Sequence, residues 1–281
     1  MGLWTPAPGF NYRQSNLSSI TTTTIGTSVA AAGSAHTKGS WVQLIASTAQ
    51  DCYWIDVYGC NTTTSATNAR GLLDIGIGAN PNEVVLIPDL LMGSIGSAQT
   101  TGGPWREYHF PLYIAAGTRI SARFQSAIAS KACGTTVVIR GGPERSGDLW
   151  SGSRVTAYGI TAAASSGVSV TPGVSGAFGS YTQIVAATTS QHQCLVVGAQ
   201  SGSSTAMAVQ TYVAAVGVGA ATEAEIANQI IAFGDASERV FGPVGETLIW
   251  RPIASGERLA IKLAQSSTTA QAIDWALYGV S

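Results

Sequence analysis

Ile114-Ala115-Ala116-Gly117-Thr118-Arg119-Ile120-Ser121-Ala122-Arg123-Phe124 is written a second time in this chain, as Ile253-Ala254-Ser255-Gly256-Glu257-Arg258-Leu259-Ala260-Ile261-Lys262-Leu263. Each copy reads as a glycine turn entering a strand. Ala116-Gly117 and Ser255-Gly256 supply the positive φ of a tight turn. The strand then alternates, with Ile120, Ala122 and Phe124 on an apolar face and Arg119, Ser121 and Arg123 on a basic one. Two readings of the basic face stand: a solvated or salt-bridged strand surface, or a contact with an acidic neighbouring subunit through Arg119, Arg123, Arg258 and Lys262.

Working outward, the repetition covers most of the chain. Gly39-Ser40-Trp41-Val42-Gln43-Leu44-Ile45-Ala46 returns as Gly179-Ser180-Tyr181-Thr182-Gln183-Ile184-Val185-Ala186, and Ile75-Gly76-Ile77-Gly78-Ala79 returns as Val216-Gly217-Val218-Gly219-Ala220. Gly103-Pro104 matches Gly242-Pro243. The spacing holds at 139 to 141 residues, which reads as two homologous domains of roughly a hundred residues each. The expected boundaries are an extended N-terminal arm over 1–35, a first domain over 36–142, a linker over 143–175 and a second domain over 176–281. Apolar positions, glycines and one basic pair are what repeats. That is the pattern of a scaffold.

The strand signals are dense. Tyr53 to Tyr58 is rich in aromatic and β-branched residues and ends at Gly59, with Trp54, Asp56 and Tyr58 on one face. Further strands are expected at 72–77, 106–112, 119–125 and 135–140, separated by glycine, asparagine and proline turns. Thr222 to Phe233 carries a capping box and, taken alone, reads as a helix. Its counterpart, Asn82 to Met92, has Pro88 in mid-segment, so a shared fold predicts an extended segment or at most one helical turn. Short strands at this spacing predict an all-β protein: two tandem jelly-roll-like β-sandwiches. The linker is long for a tether and is expected to carry a strand over 154–160.

Charged residues make up only 10% of the 281-residue chain and the formal net charge is -1, against a charged share near a quarter in average soluble domains. So little repulsion favours self-association. The scattered basic residues exclude nucleic acid as a partner. No apolar run is long enough to span a membrane, and the N-terminus lacks a signal peptide's regions, so synthesis in the cytoplasm is expected. The arm, opening Leu3-Trp4-Thr5-Pro6-Ala7-Pro8-Gly9-Phe10-Asn11-Tyr12, cannot form a core alone. It must dock on its own domain or on a neighbour, with Trp4, Phe10 and Tyr12 as candidate contacts.

Chemistry-bearing residues form no recognisable constellation. Cys52, Cys60, Cys133 and Cys194 follow no zinc spacing and are read either as buried thiols or, for Cys194 above all, as intermolecular disulfide partners. His36, His109 and His192 stand apart, with no metal-ligand spacing and no G-x-S-x-G context. The carboxylates closest in sequence, Asp51 with Asp56, Asp74 with Glu83 and Glu223 with Glu225, are the pairs a glycosidase could use, but none recurs between the halves. No catalytic, cofactor or metal residue is assigned. Trp54, Tyr58 and Trp105 are the candidates for stacking on a sugar, against core and interface packing. Asn16-Leu17-Ser18 and Asn61-Thr62-Thr63 match a glycosylation pattern.

Tandem β domains of this composition, the aromatic arm and the motif at 114–123 echoed at 253–262 resemble virion structural proteins of tailed bacteriophages. The resemblance implies a non-enzymatic particle component located in the virion, such as a capsid decoration or head–tail collar protein. It also implies partners among its own copies, as a trimer or larger ring, and among capsid, neck or tail subunits. The alternative it leaves open is a carbohydrate- or receptor-binding module of a fibre or tail.

Overall fold

The computed structural model describes residues 12–17, 26–61, 70–93, 106–141, 150–201, 210–219, 222–234, 240–244 and 247–281. The first half contains β1 (Tyr12–Ser15), β2 (Thr27–Ala30), β3 (Val42–Ile45), β4 (Cys52–Asn61), β5 (Gly71–Ile77), β6 (Val84–Leu91), β7 (Arg106–Phe110), β8 (Ile120–Ser126) and β9 (Ala132–Gly141). They make two antiparallel sheets, ordered β1-β9-β4-β7, with β2 also on β9, and β3-β8-β5-β6. The second half contains β10 (Val155–Tyr158), β11 (Val168–Val170), β12 (Thr182–Val185), β13 (Cys194–Ser201), β14 (Gln210–Val218), β15 (Ala224–Gly234), β16 (Val240–Val244), β17 (Leu248–Ile249), β18 (Leu259–Gln265) and β19 (Ile273–Val280). Its sheets run β10-β19-β13-β17, with β11 also on β19, and β12-β18-β14-β15-β16. Among the described residues the two halves are wired alike, strand for strand, with β16 an addition to the second.

The all-β fold expected from the sequence is therefore the fold observed. Among the described residues there is no α-helix, only a 3-10 turn at Ala162–Ala164, and no helix is long and apolar enough to cross a membrane. The segment 222–233 is extended: it forms most of β15, paired with β14 through two register shifts. Its helical capping box loses to a pairing that buries Ile230 and Ala232 in the core. Pro88 sits in β6, an edge strand, where its missing N–H removes no ladder bond.

The stretches expected as arm and linker both contribute strands to the sheets. Tyr12–Ser15 and Thr27–Ala30 both lie on β9, opposite Val138–Gly141 and Ala132–Thr135 respectively. The side chain of Asn16 is buried between them and donates to Thr27 Oγ1 and the Thr135 carbonyl at 2.9 Å each, while accepting from the Val137 N–H at 2.7 Å. That amide is committed to the sheet, so the glycosylation pattern at Asn16 has no free side chain behind it. Trp4 and Phe10 lie outside the described residues. In the same way β10 and β11, from the stretch expected as linker, both pair with β19. The expected strand at 154–160 is present as β10, and it is the second-half counterpart of β1.

Each sandwich has its own filling, but one sheet serves both. Along β19, Ile273, Trp275 and Leu277 belong to the core of the second half, whereas Ala276, Tyr278 and Val280 belong to the core cluster of the first. Along β13 the split falls between Leu195, Val197 and Ala199 on one side and Cys194 and Val196 on the other. A sheet apolar on both faces is what a strand covered on both sides requires, and every residue of β19 is buried. Tyr278 donates to the Asp89 carbonyl at 3.0 Å and accepts from the Leu91 N–H at 2.9 Å, crossing from one half to the other. Gln200 does likewise, accepting from the Gly93 N–H at 2.8 Å and donating to the Ser165 carbonyl at 2.9 Å.

Candidate functional site

The repeated turn motif builds a repeated clamp. Gly117 and Gly256 have φ of +78° and +87°, and their N–H groups donate to the carbonyls of Thr48 and Thr188 at 2.7 and 2.8 Å. Two residues on, Arg119 donates to Gln43 Oε1 at 3.0 Å, the Gly78 carbonyl at 3.3 Å and Glu83 Oε1 at 2.6 Å. Arg258 holds the matching set: Gln183 at 3.1 Å, Gly219 at 3.3 Å and Glu223. The clamp ties the start of one strand to the turn before β6 or β15 and to β3 or β12.

The second basic position of each strand is also engaged. Arg123 reaches Asp74 at 2.8 Å and lies 4.6 Å from the Trp41 ring centre. Lys262 reaches Glu225 at 3.0 Å and stands 4.8 and 4.9 Å from the Tyr181 and Phe178 ring centres. Those rings lie on glycine backbone: a Cβ on Gly76 would come within 2.6 Å of Trp41, and one on Gly217 within 2.7 Å of Tyr181. Arg119, Arg123, Arg258 and Lys262 thus find partners inside their own sandwich, as the salt-bridged reading of this face expects.

The outer face of β4, β7 and β9 gathers the first half's polar cluster. Asp56, fully buried, accepts from Trp54 Nε1 and pairs with His109 Nδ1 at 2.7 Å each, and is bridged by Arg140. His109 Nε2 lies 3.1 Å from Glu107. Burial works against charge on His109, but the hydrogen bonds and charges of Asp56 and Glu107 outweigh it and lift the imidazole to about 9. It is an imidazolium at neutral pH, bracketed by two carboxylates, and holds its proton rather than exchanging it. Trp54 and Tyr58 are half-buried on this face, with the indole N–H already donated to Asp56; Trp105 lies outside the described residues.

The other carboxylates weighed for catalysis are likewise tied. Asp51 accepts from the Ala116 N–H at 2.8 Å, and Asp74 is held by Lys38 and Arg123. Glu83, Glu223 and Glu225 each pair with a cation of the clamp strands. Among the described residues no three His, Cys, Asp or Glu side chains could hold a metal ion. Cys194 is fully buried and its thiol is pushed up to about 12 by that burial; it packs between the halves, out of another subunit's reach, which corrects its assignment as an intermolecular disulfide partner. Tyr12 is half-buried in β1, its hydroxyl against Gln14 and the Ala49 N–H.

One surface was not legible in the sequence. A groove of about 480 Å³ opens at the edge of the second sandwich between β15 and β17, lined by Ile226, Ala227, Asn228, Leu248, Trp250 and Arg251. On its rim Trp250, 55% exposed, meets Trp150, 41% exposed, edge to face with ring centres 6.1 Å apart. The two indoles are a hundred residues apart and lie outside the repeated motifs, so only the fold pairs them.

No family model matches the chain, and no curated protein matches it. Among solved structures the chain is similar to one described as "Structure of infectious bursal disease virus Gx strain", with 13% identity and a TM-score of 0.26 over 83% of this chain and 57% of that chain. The chain spans less than two thirds of that protein's length. A likeness of this size carries no function across.

Proposed function

We propose that this chain is a non-enzymatic structural component of a virus particle, of the tailed-bacteriophage kind its strand-entry motif resembles, built from two jelly-roll-like sandwiches and assembling with other copies as a capsid decoration or head–tail collar protein. The observation that carries the reading is the content of the repeat. What recurs between the halves is the arginine clamp, the threonine-backed glycine turn and the ring-on-glycine contact, all of which hold strands in place. The carboxylates that could have paired for hydrolysis are held by cations or backbone N–H groups. A low charge density leaves the surface free to meet copies of itself.

A second reading, a carbohydrate- or receptor-binding module, is favoured by the Trp150–Trp250 pair beside the groove, where a sugar could stack with Asn228 and Arg251 in reach. Mass spectrometry of purified particles from the source that encodes the chain separates the two. Stoichiometric presence, tens of copies or more per particle, is expected for a shell or collar component. A few copies together with binding on a glycan array would favour the second reading, and absence from particles would sink the virion assignment.

A further inference from the structure

The groove of the second sandwich has a counterpart in the first, and that counterpart is covered. The strand registers give the equivalence: Ile75 lies opposite Ile87 as Val216 lies opposite Ala227, and Ile55 opposite Phe110 as Leu195 opposite Ile249. The Cys52–Ile114 bridge recurs as His192–Ile253. Leu86, Ile87, Phe110 and Leu112 therefore stand where Ile226, Ala227, Ile249 and Arg251 line the groove, and all four are buried.

The cover is the leading edge of the second sandwich. Gly152 bridges Leu112, donating to the Pro111 carbonyl at 2.8 Å and accepting from the Tyr113 N–H at 2.9 Å. Val155 of β10 enters the core cluster of the first half, with Ala157 and Ile160 packed against it. The strand of the first sandwich equivalent to β10 is β1. Arg13 faces Arg140 as Val155 faces Val280, so Arg13 and Ser15 hold the positions of Val155 and Ala157. Both are exposed. One chain thus contains a covered groove with the edge that covers it, and an open groove with a matching edge unused.

We propose that the open groove takes the β1 edge of the first sandwich of a second copy of this chain, in the pose in which the second sandwich sits on the first within one copy. The inference rests on the self-assembly part of the function proposed above and gives it a geometry. Such a contact is heterologous, so it propagates head to tail and ends in a ring if the rotation closes and a fibre if it does not. The difference in chemistry fits the difference in use. A permanently covered edge is apolar, Val155 and Ala157, while an edge that meets water before assembly is polar, Arg13 and Ser15. Trp250 is the exposed aromatic at the mouth of the groove and is the anchor of the contact.

Two variants, each at an exposed position and so neutral for folding by circular dichroism, test the pose: Trp250→Asp removes the anchor and puts a charge in the groove, and Ser15→Arg blocks the edge. Light scattering across concentration should show wild-type chain associating and each variant weakened by about thirtyfold or more. Mixed in equal amounts, the two should form a one-to-one dimer that grows no further, because only one good groove and one good edge remain. Variants that associate like wild type overturn this pose while leaving self-assembly standing. A wild-type monomer at every concentration overturns the inference, and if it binds glycan in a manner lost in Trp250→Asp, the groove belongs to a sugar. Presence or absence in particles decides the virion reading independently of all these outcomes.

Discussion

His109, raised by its carboxylate neighbours against the effect of burial, and Asp274, raised by burial itself, show in which direction a single buried group makes stability depend on pH. The imidazole of His109 is raised from 6.5 to about 9, so its contribution is complete below about pH 6.5 and is lost as pH rises through about 9. Urea unfolding from pH 6.5 to 9.5 should show wild-type chain losing about 2–3 kcal/mol that His109→Gln does not lose; an equal slope in the variant would remove the Asp56–His109–Glu107 cluster as the cause. Asp274, buried on β19, is raised to about 6, first by burial, with Arg70, the Gly167 N–H and Gln200 opposing. Its folded form holds the proton more tightly than the unfolded chain, so stability falls as pH rises from about 4 through 6. Asp274→Asn should therefore gain about 1–3 kcal/mol at pH 7 and nothing at pH 3.5, and a loss at pH 7 would show that the carboxylate earns its place ionised. Sequence reading singled out His109 only as an isolated histidine. It had no means of finding Asp56, Glu107 and Arg140 as its neighbours, because those contacts run across three strands.

At the scale of elements, alternation and turn residues were enough to place most strands, and β4, β5, β8 and β9 stand within a few residues of where the pattern puts them. The stretch 12–30 was not legible as sheet. β1 and β2 are four residues each, too short and too polar to announce themselves, and they exist because the ten residues of β9 offer an edge long enough for both. Removing 1–35 strips both strands and the Asn16 bridge from β9, and should lower the melting temperature by more than about 10 °C or give insoluble chain, since several kcal/mol of pairing and burial go with them. A melting temperature equal to wild type in a thermal scan would contradict the pairing of β1 and β2 with β9. The groove at the β15–β17 edge belongs to this scale too: its lining residues are unremarkable one by one and become a surface only when two strands part.

For the whole molecule, the repeat announced two domains and the structure joins them through a single sheet with two apolar faces. Cys194, Val196, Ala276, Tyr278 and Val280 would be left bare if the second half stood alone. The chain should unfold in one transition, with calorimetric and van't Hoff enthalpies equal within error, and Tyr278→Ala should lower that transition by about 3–5 kcal/mol without splitting it. Two separable transitions in wild-type chain would show the halves to be independent. The sequence alone determined the duplication and the all-β class, because these rest on local periodicity, glycine turns and order along the chain. Only the tertiary structure decided that β1, β2, β10 and β11 join the sheets, that the clamp arginines pair within their own sandwich, and that one groove is covered while its twin is open. Those depend on which faces meet, and two faces with the same local pattern become core or surface according to what lies across from them.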